Sequence, residues 1–193
     1  MCNEGDGLKA MLLYGSPRVN GNTGQILRLI KEILTSCQIN CKEIFLAKTE
    51  GSMCSGCDWC ADHEHCIYTD DFSQIMGTIP DYQLIVIASP VYFGGVTAQL
   101  KRFVDRMQVL YQHRERNTAK LVILCVSTAA EARTDVFDGI KRTMKYVSYS
   151  LGAVHTAYIL VNQAEEIRDI DTLVERETVK QTIHDILRYL QEK

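Results

Sequence analysis

The chain has 193 residues, 46% of them hydrophobic and 23% charged, and carries a net charge of −3. These values suit one globular domain, long enough to bury a large apolar core without staples. Without a basic block, nucleic acid and anionic membranes are poor partners. The N-terminal MCNEGDGLKA lacks the basic start and apolar run of a signal peptide. Leu84–Ala88 and Leu121–Val126, among the longest apolar stretches, are too short to span a bilayer. The expected location is the cytoplasm, where thiols are kept reduced.

Lys9–Tyr14 reads as a first strand, ended by Gly15-Ser16-Pro17. Ile26, Leu27, Ile30, Ile33 and Leu34 follow at helix spacing. Ile39–Leu46 alternates as a second strand, and an irregular segment from Ala47 to Ile67 comes next. A loop of that length is usually functional or disordered. Thr69-Asp70-Asp71 places acidic groups at a helix start. Leu84–Ala88 is a continuous apolar run, the mark of a strand buried on both faces. Leu100, Phe103, Val104, Met107, Leu110 and Tyr111 form one helix face. Lys120–Ser127 is a fourth strand, residues 131–151 a helix, and Ala153–Val161 a fifth strand. Val179, Ile183, Ile186, Leu187 and Leu190 close the chain as an amphipathic helix.

Strands alternating with helices predict an α/β fold, a parallel sheet with helices on both faces. Its ligands belong at the carboxyl ends of the strands, near the point where strand order switches. The loop Gly15–Gly24 carries neither a triphosphate-binding nor a dinucleotide-binding glycine pattern. It offers Ser16, Asn20, Asn22 and Thr23, the guanidinium of Arg18 and a helix N-terminus, which suit a phosphate monoester. An ordinary turn capped by Asn22 or Thr23 is the plainer reading. In Ala88–Thr97, Val91, Tyr92 and Phe93 between Pro90 and Gly94 are unusually apolar for a strand end. A planar aromatic ligand covered by Tyr92 or Phe93 explains them, as does packing under another loop or subunit. Phosphate at one loop and a flat ring at the next together describe flavin mononucleotide (FMN).

Residues 54–66 contain four of the eight cysteines, Cys54, Cys57, Cys60 and Cys66, spaced C-x2-C-x2-C-x5-C. A disulfide knot, a zinc site and an iron–sulfur cluster compete. A reducing compartment disfavours the knot. Two zinc-binding pairs are typically separated by a longer segment. Three cysteines evenly spaced by two residues are the way one peptide wraps a cubane cluster, and five further residues let Cys66 return to it. Zinc and bare loop thiols remain alternatives, with His63 and His65 as possible zinc ligands. Cys125, Cys37 and Cys41 read as structural. Lys101, Arg102 and Arg106 form a basic helix edge, read as a solvated face with Lys101–Asp105 pairing, or else as a contact for an NADPH phosphate. Glu165-Glu166 and Asp169–Asp171 read as an acidic surface loop.

The ordered motifs GSPRxxGNT, CxGCxxCxxxxxC, Asp70-Asp71 and SPVYFGxVTxxLKxFxDR, running from Gly15 to Arg106, resemble the NADPH-dependent FMN reductase family. More narrowly, they resemble its iron–sulfur flavoprotein branch. The resemblance implies a flavodoxin-like three-layer sandwich of strand order 2-1-3-4-5. It assigns Ser16, Arg18, Asn22 and Thr23 to the FMN phosphate, and Pro90, Val91, Tyr92, Phe93 and Gly94 to the isoalloxazine. Thr128 and Ala129 stand where the family's third flavin loop is usually glycine-rich. It assigns Cys54, Cys57, Cys60 and Cys66 to a 4Fe-4S cluster. The implied activity is electron transfer among an NADPH, NADH or ferredoxin-type donor, FMN and the cluster, with a small-molecule or protein redox partner. A cluster-free FMN or quinone reductase and a non-catalytic sensor are the alternatives. One domain over 1–193, with the cysteine loop 47–67 as an insertion, is expected to form a homo-oligomer, a dimer or tetramer. Trp59 and its loop would lie near a subunit interface.

Overall fold

The computed structural model describes residues 7–114, 120–164 and 173–192. Five strands, β1 (Lys9–Tyr14), β2 (Asn40–Phe45), β3 (Leu84–Ala88), β4 (Val122–Thr128) and β5 (His155–Val161), form one parallel sheet of order 2-1-3-4-5. β3 and β4 are buried at every residue and β1 at every residue after Lys9, as central strands covered on both faces should be. β2 and β5 lie at the edges and are more exposed.

The helices are α1 (Asn22–Ser36), α2 (Trp59–Asp62), α3 (Asp71–Thr78), α4 (Ala98–Arg106), α5 (Gln108–Gln112), α6 (Asp138–Leu151) and α7 (Leu173–Gln191). Side chains alternate across a strand, so each strand feeds two cores. Leu12, Val86 and Leu124 pack with Ile26, Leu27, Ile30 and Leu34 of α1 and with Val179 and Ile183 of α7. Met11, Leu13, Ile85, Ile87 and Ile123 face the other way, against Phe72 of α3, Leu100 and Phe103 of α4, and Ile140 and Met144 of α6.

The register aligns Tyr14 with Ala88 and Ala88 with Val126, so the loops leaving β1, β3 and β4 emerge side by side. The chain turns outward to β2 and then returns past β1 to β3, which makes this edge the switch point.

Several boundaries differ from the sequence expectation. The helix expected over 131–151 begins at Asp138, after a 3-10 turn at Asp135–Phe137. Arg133 instead pairs with Asp135, and Asn162 donates to the Ala132 carbonyl at 2.7 Å, holding this segment as a loop. The helix expected through Leu100–Tyr111 breaks at Met107, whose N–H bonds the Val104 carbonyl three residues back. β4 and β5 each start two residues later than expected. The cysteine segment contains α2 and is not wholly irregular. Cys37 is disulfide-bonded, whereas Cys41, Cys54, Cys57, Cys60, Cys66 and Cys125 are free thiols. The acidic positions Glu165-Glu166 and Asp169–Asp171 lie outside the described residues. No helix among the described residues is long and apolar enough to cross a membrane.

Candidate functional site

α1 has Gly21 as its N-cap, with no side-chain cap bond and no acidic residue in its first turn, so its positive end faces the β1 loop without a competing carboxylate. The alternative of a cap from Asn22 or Thr23 is not what forms. The Ser16 hydroxyl meets the Arg18 backbone at 3.1 Å and shapes the loop into a cradle. Asn22 Nδ2 donates to the Ala164 carbonyl at 3.0 Å, tying the cradle to the segment after β5.

The loop after β3 is a tight turn. Tyr92 and Gly95 exchange two backbone hydrogen bonds of 2.9 and 3.0 Å, with positive φ at Phe93 (49°) and Gly94 (73°). Two successive positive φ values are the signature of a type I′ turn, unusual for phenylalanine. Val91 N–H bonds the Thr128 carbonyl at 2.9 Å, joining this loop to the one after β4. None of Thr128, Ala129 and Ala130 has positive φ, so the missing glycines impose no strain there.

One open cleft of about 200 Å³ joins these loops. Ser16, Arg18, Asn22 and Thr23 line it from the first, Pro90, Val91 and Tyr92 from the second, and Thr128 and Ala129 from the third. Phe93 and Gly94 are not among its walls: the turn leaves the Phe93 ring fully exposed. Hydroxyl, guanidinium and helix terminus at one end, with apolar and aromatic walls at the other, fit a phosphate-bearing planar ring.

Cys54, Cys57, Cys60 and Cys66 line a second hollow with Trp59, Tyr68 and Arg106. Burial raises the Cys60 pKa, and the nearby Cys66, Cys54 and Cys57 add to it. Among the described residues no three His, Cys, Asp or Glu groups form a grip for a single metal ion. Four cysteine sulfurs are the donor set that a cubane cluster uses, and these four line one hollow. His63 stacks on Trp59 with ring centroids 3.6 Å apart. Cys125, deep in β4, has its thiol pushed up to about 12 by burial, as an inert core residue should.

The sequence did not reveal what holds this loop. Asp70 caps α3 by accepting from Ser73 N–H at 3.1 Å and also accepts from Ser52 N–H at 2.8 Å. Arg102 reaches the Gly51 carbonyl at 3.3 Å, and His113 Nε2 lies 3.0 Å from the carbonyls of both Cys60 and His63. Lys101 pairs with Asp105 as expected, but Arg106 is no solvated edge: it is buried in an ion pair with Asp70. An aspartate three residues before a serine signals a cap, but nothing local identifies Arg106 as its partner.

The sequence profile of the NADPH-dependent FMN reductase family matches residues 8–155. The chain belongs to that family. An iron-sulfur flavoprotein of Methanocaldococcus jannaschii is 37% identical over 103 residues, covering 53% of each chain. One from Archaeoglobus fulgidus is 32% identical over 107 residues, 55% of this chain and 48% of that one. The chain thus spans about half the length of these relatives. An NAD(P)H:quinone oxidoreductase from Methanothermobacter marburgensis superposes with a TM-score of 0.70 at 16% identity, covering 95% of this chain and 99% of that one. That likeness carries the flavodoxin-like fold of the FMN reductase family.

Proposed function

We propose that this chain is an FMN-dependent oxidoreductase in which electrons pass among a nicotinamide or ferredoxin-type donor, FMN and a 4Fe-4S cluster. The observation that carries the reading is the cleft, where residues of three separate loops meet at the switch point. In this reading Ser16, Arg18, Asn22, Thr23 and the α1 terminus hold the phosphate, while Val91, Tyr92 and Ala129 wall the ring from water. Bound FMN supplies the conversion between two-electron and one-electron transfer. Cys54, Cys57, Cys60 and Cys66 are the cluster ligands, supported by their shared hollow and by the names of the archaeal relatives. The exposed Met53, Trp59 and Ile67 support a homo-oligomer with this loop at or near an interface.

Anaerobic reconstitution followed by flavin and iron analysis tests the reading. Wild-type protein should bind both, and Cys57→Ser should lose iron while keeping FMN. FMN without iron in the wild type would leave a cluster-free reductase. Bound, reducible FMN without turnover by any donor would leave a sensor. Loss of both cofactors in Cys57→Ser would mean that the cysteine loop builds the flavin cleft itself.

A further inference from the structure

Arg106 heads the fully buried side chains by volume among the described residues. Its Nη1 donates to the Ser52 carbonyl at 2.9 Å and to Asp70 Oδ2 at 2.7 Å. Its Nη2 donates to Asp70 Oδ1 at 3.1 Å and to Ser73 Oγ at 2.7 Å. Tyr68 covers the guanidinium, with its ring centroid 4.9 Å from Cζ. A guanidinium has five N–H donors. The remaining one, on Nε, is buried with no oxygen or nitrogen acceptor, and the sulfur beside the guanidinium is that of Cys66. Arg106 also lines the cysteine hollow and borders Cys66.

We propose that Arg106 is a positioning residue for the proposed cluster, bracing the cysteine loop and setting a fixed positive charge beside Cys66 that raises the cluster's reduction potential. The inference rests on the cluster reading. A buried donor with only a thiol sulfur nearby is poorly satisfied, because a thiol is a weak acceptor, and a cluster-ligating thiolate or cluster sulfur would accept more strongly. Net charge and hydrogen bonds to sulfur are among the factors that set cluster potentials. Reduction adds one negative charge, which a neighbouring cation stabilises. Asp70 opposes that effect by partly neutralising the guanidinium, and it fixes the guanidinium's direction through two oxygens.

Midpoint potentials of iron and flavin, measured by spectroscopic redox titration of anaerobic holoprotein, test this. Arg106→Gln should lower the equilibrium constant for one-electron cluster reduction about tenfold, a downward shift of about 59 mV. Asp70→Asn should shift the cluster potential upward, because the cation is then less compensated, and Arg106→Lys should fall nearer wild type than Arg106→Gln does. A brace without electrostatic influence would loosen the loop in both Arg106→Gln and Asp70→Asn, so equal potentials or shifts of the same sign overturn the proposal. If Arg106→Gln retains no iron, the sign of the Asp70→Asn shift decides. Loss of iron from Asp70→Asn and Arg106→Lys as well also overturns it. Wild-type protein that binds no iron sinks the cluster reading itself, before any variant is compared.

Discussion

Gly139, in the first turn of α6, lies against the turn after β3. A Cβ built there would stand 1.9 Å from the Gly94 carbonyl oxygen and 3.0 Å from its carbon. Real contacts of this kind stay beyond 3.0 Å, so Gly139→Ala requires a retreat of about 1.1 Å. The obstacle is backbone, and the Tyr92–Gly95 turn is closed by two hydrogen bonds, so it must move as a unit. Overpacking of this kind costs about 1–3 kcal/mol, while replacing a helical glycine returns up to about 1 kcal/mol. The expected net loss of apoprotein stability is thus about 0–3 kcal/mol. The displaced turn adjoins Tyr92 in the cleft, and FMN affinity should fall about tenfold, or about 1.4 kcal/mol. Calorimetric titration of apoprotein with FMN, paired with urea denaturation, separates the two effects. Gly77→Ala is the control: it lies in α3 with nothing within 4 Å of the new Cβ, and should stabilise the fold without touching FMN binding. Unchanged FMN affinity in Gly139→Ala would refute the coupling between α6 and FMN binding at the turn after β3.

Arg18→Ala should weaken FMN binding by about 1.5–3 kcal/mol through loss of a charge-assisted phosphate contact, and titration of apoprotein showing equal affinity would remove Arg18 from the site. Burial alone would raise the Asp70 pKa, but its bonds from Arg106, Ser52 and Ser73 outweigh this and hold it at about 2, against 3.8 unperturbed. Its stabilisation is therefore full above about pH 4 and lost as pH falls toward 2, on the order of 1–2 kcal/mol after solvent screening. Acid unfolding of Asp70→Asn should lack that component, and an unchanged pH profile would contradict it. Phe93→Gly should relieve the positive φ and raise stability by about 1 kcal/mol, with Tm up by about 2–4 °C; a lower Tm would mean that the exposed ring is held by contacts.

The central strands were legible because burial on both faces writes continuous apolar runs such as LIVIA into the chain. The cap at Asp70 was legible because its donor, Ser73, is three residues away. Arg106 was not, because an arginine on an amphipathic helix reads as solvated until its partner 36 residues earlier is brought beside it. The start of α6 was misjudged for a related reason: Arg133 finds its partner at Asp135 within the loop and leaves the helix to begin later. Of Tyr92 and Phe93, either of which the sequence allows over a ring, the turn puts Tyr92 at the cleft and leaves Phe93 exposed, a choice set by backbone dihedrals that residue type does not announce. Among the cleft residues, those nearest strand ends were legible through the topology, which places three strand exits side by side.

α4 connects the two candidate centres. At its start Thr97 caps the helix, accepting from Leu100 N–H, and its hydroxyl donates to the Gly15 carbonyl at the exit of β1. Thr97 N–H bonds Ser89 Oγ at 3.1 Å, at the exit of β3. A Cβ at Gly15 would stand 2.7 Å from the Ala88 carbonyl oxygen and 2.9 Å from Leu100 Cβ, and its absence lets α4 pack directly against the loop after β1. At the helix's other end Arg106 grips Ser52, Asp70 and Ser73. Nine residues at 1.5 Å each separate these ends by about 13 Å. The helix is packed through Leu100 and Phe103 into the core, so it cannot slide without opening that face of the sheet. The spacing between cleft and cysteine loop is therefore set by the sheet's own packing, and a loop that is mostly exposed still acquires a fixed position relative to the strand ends.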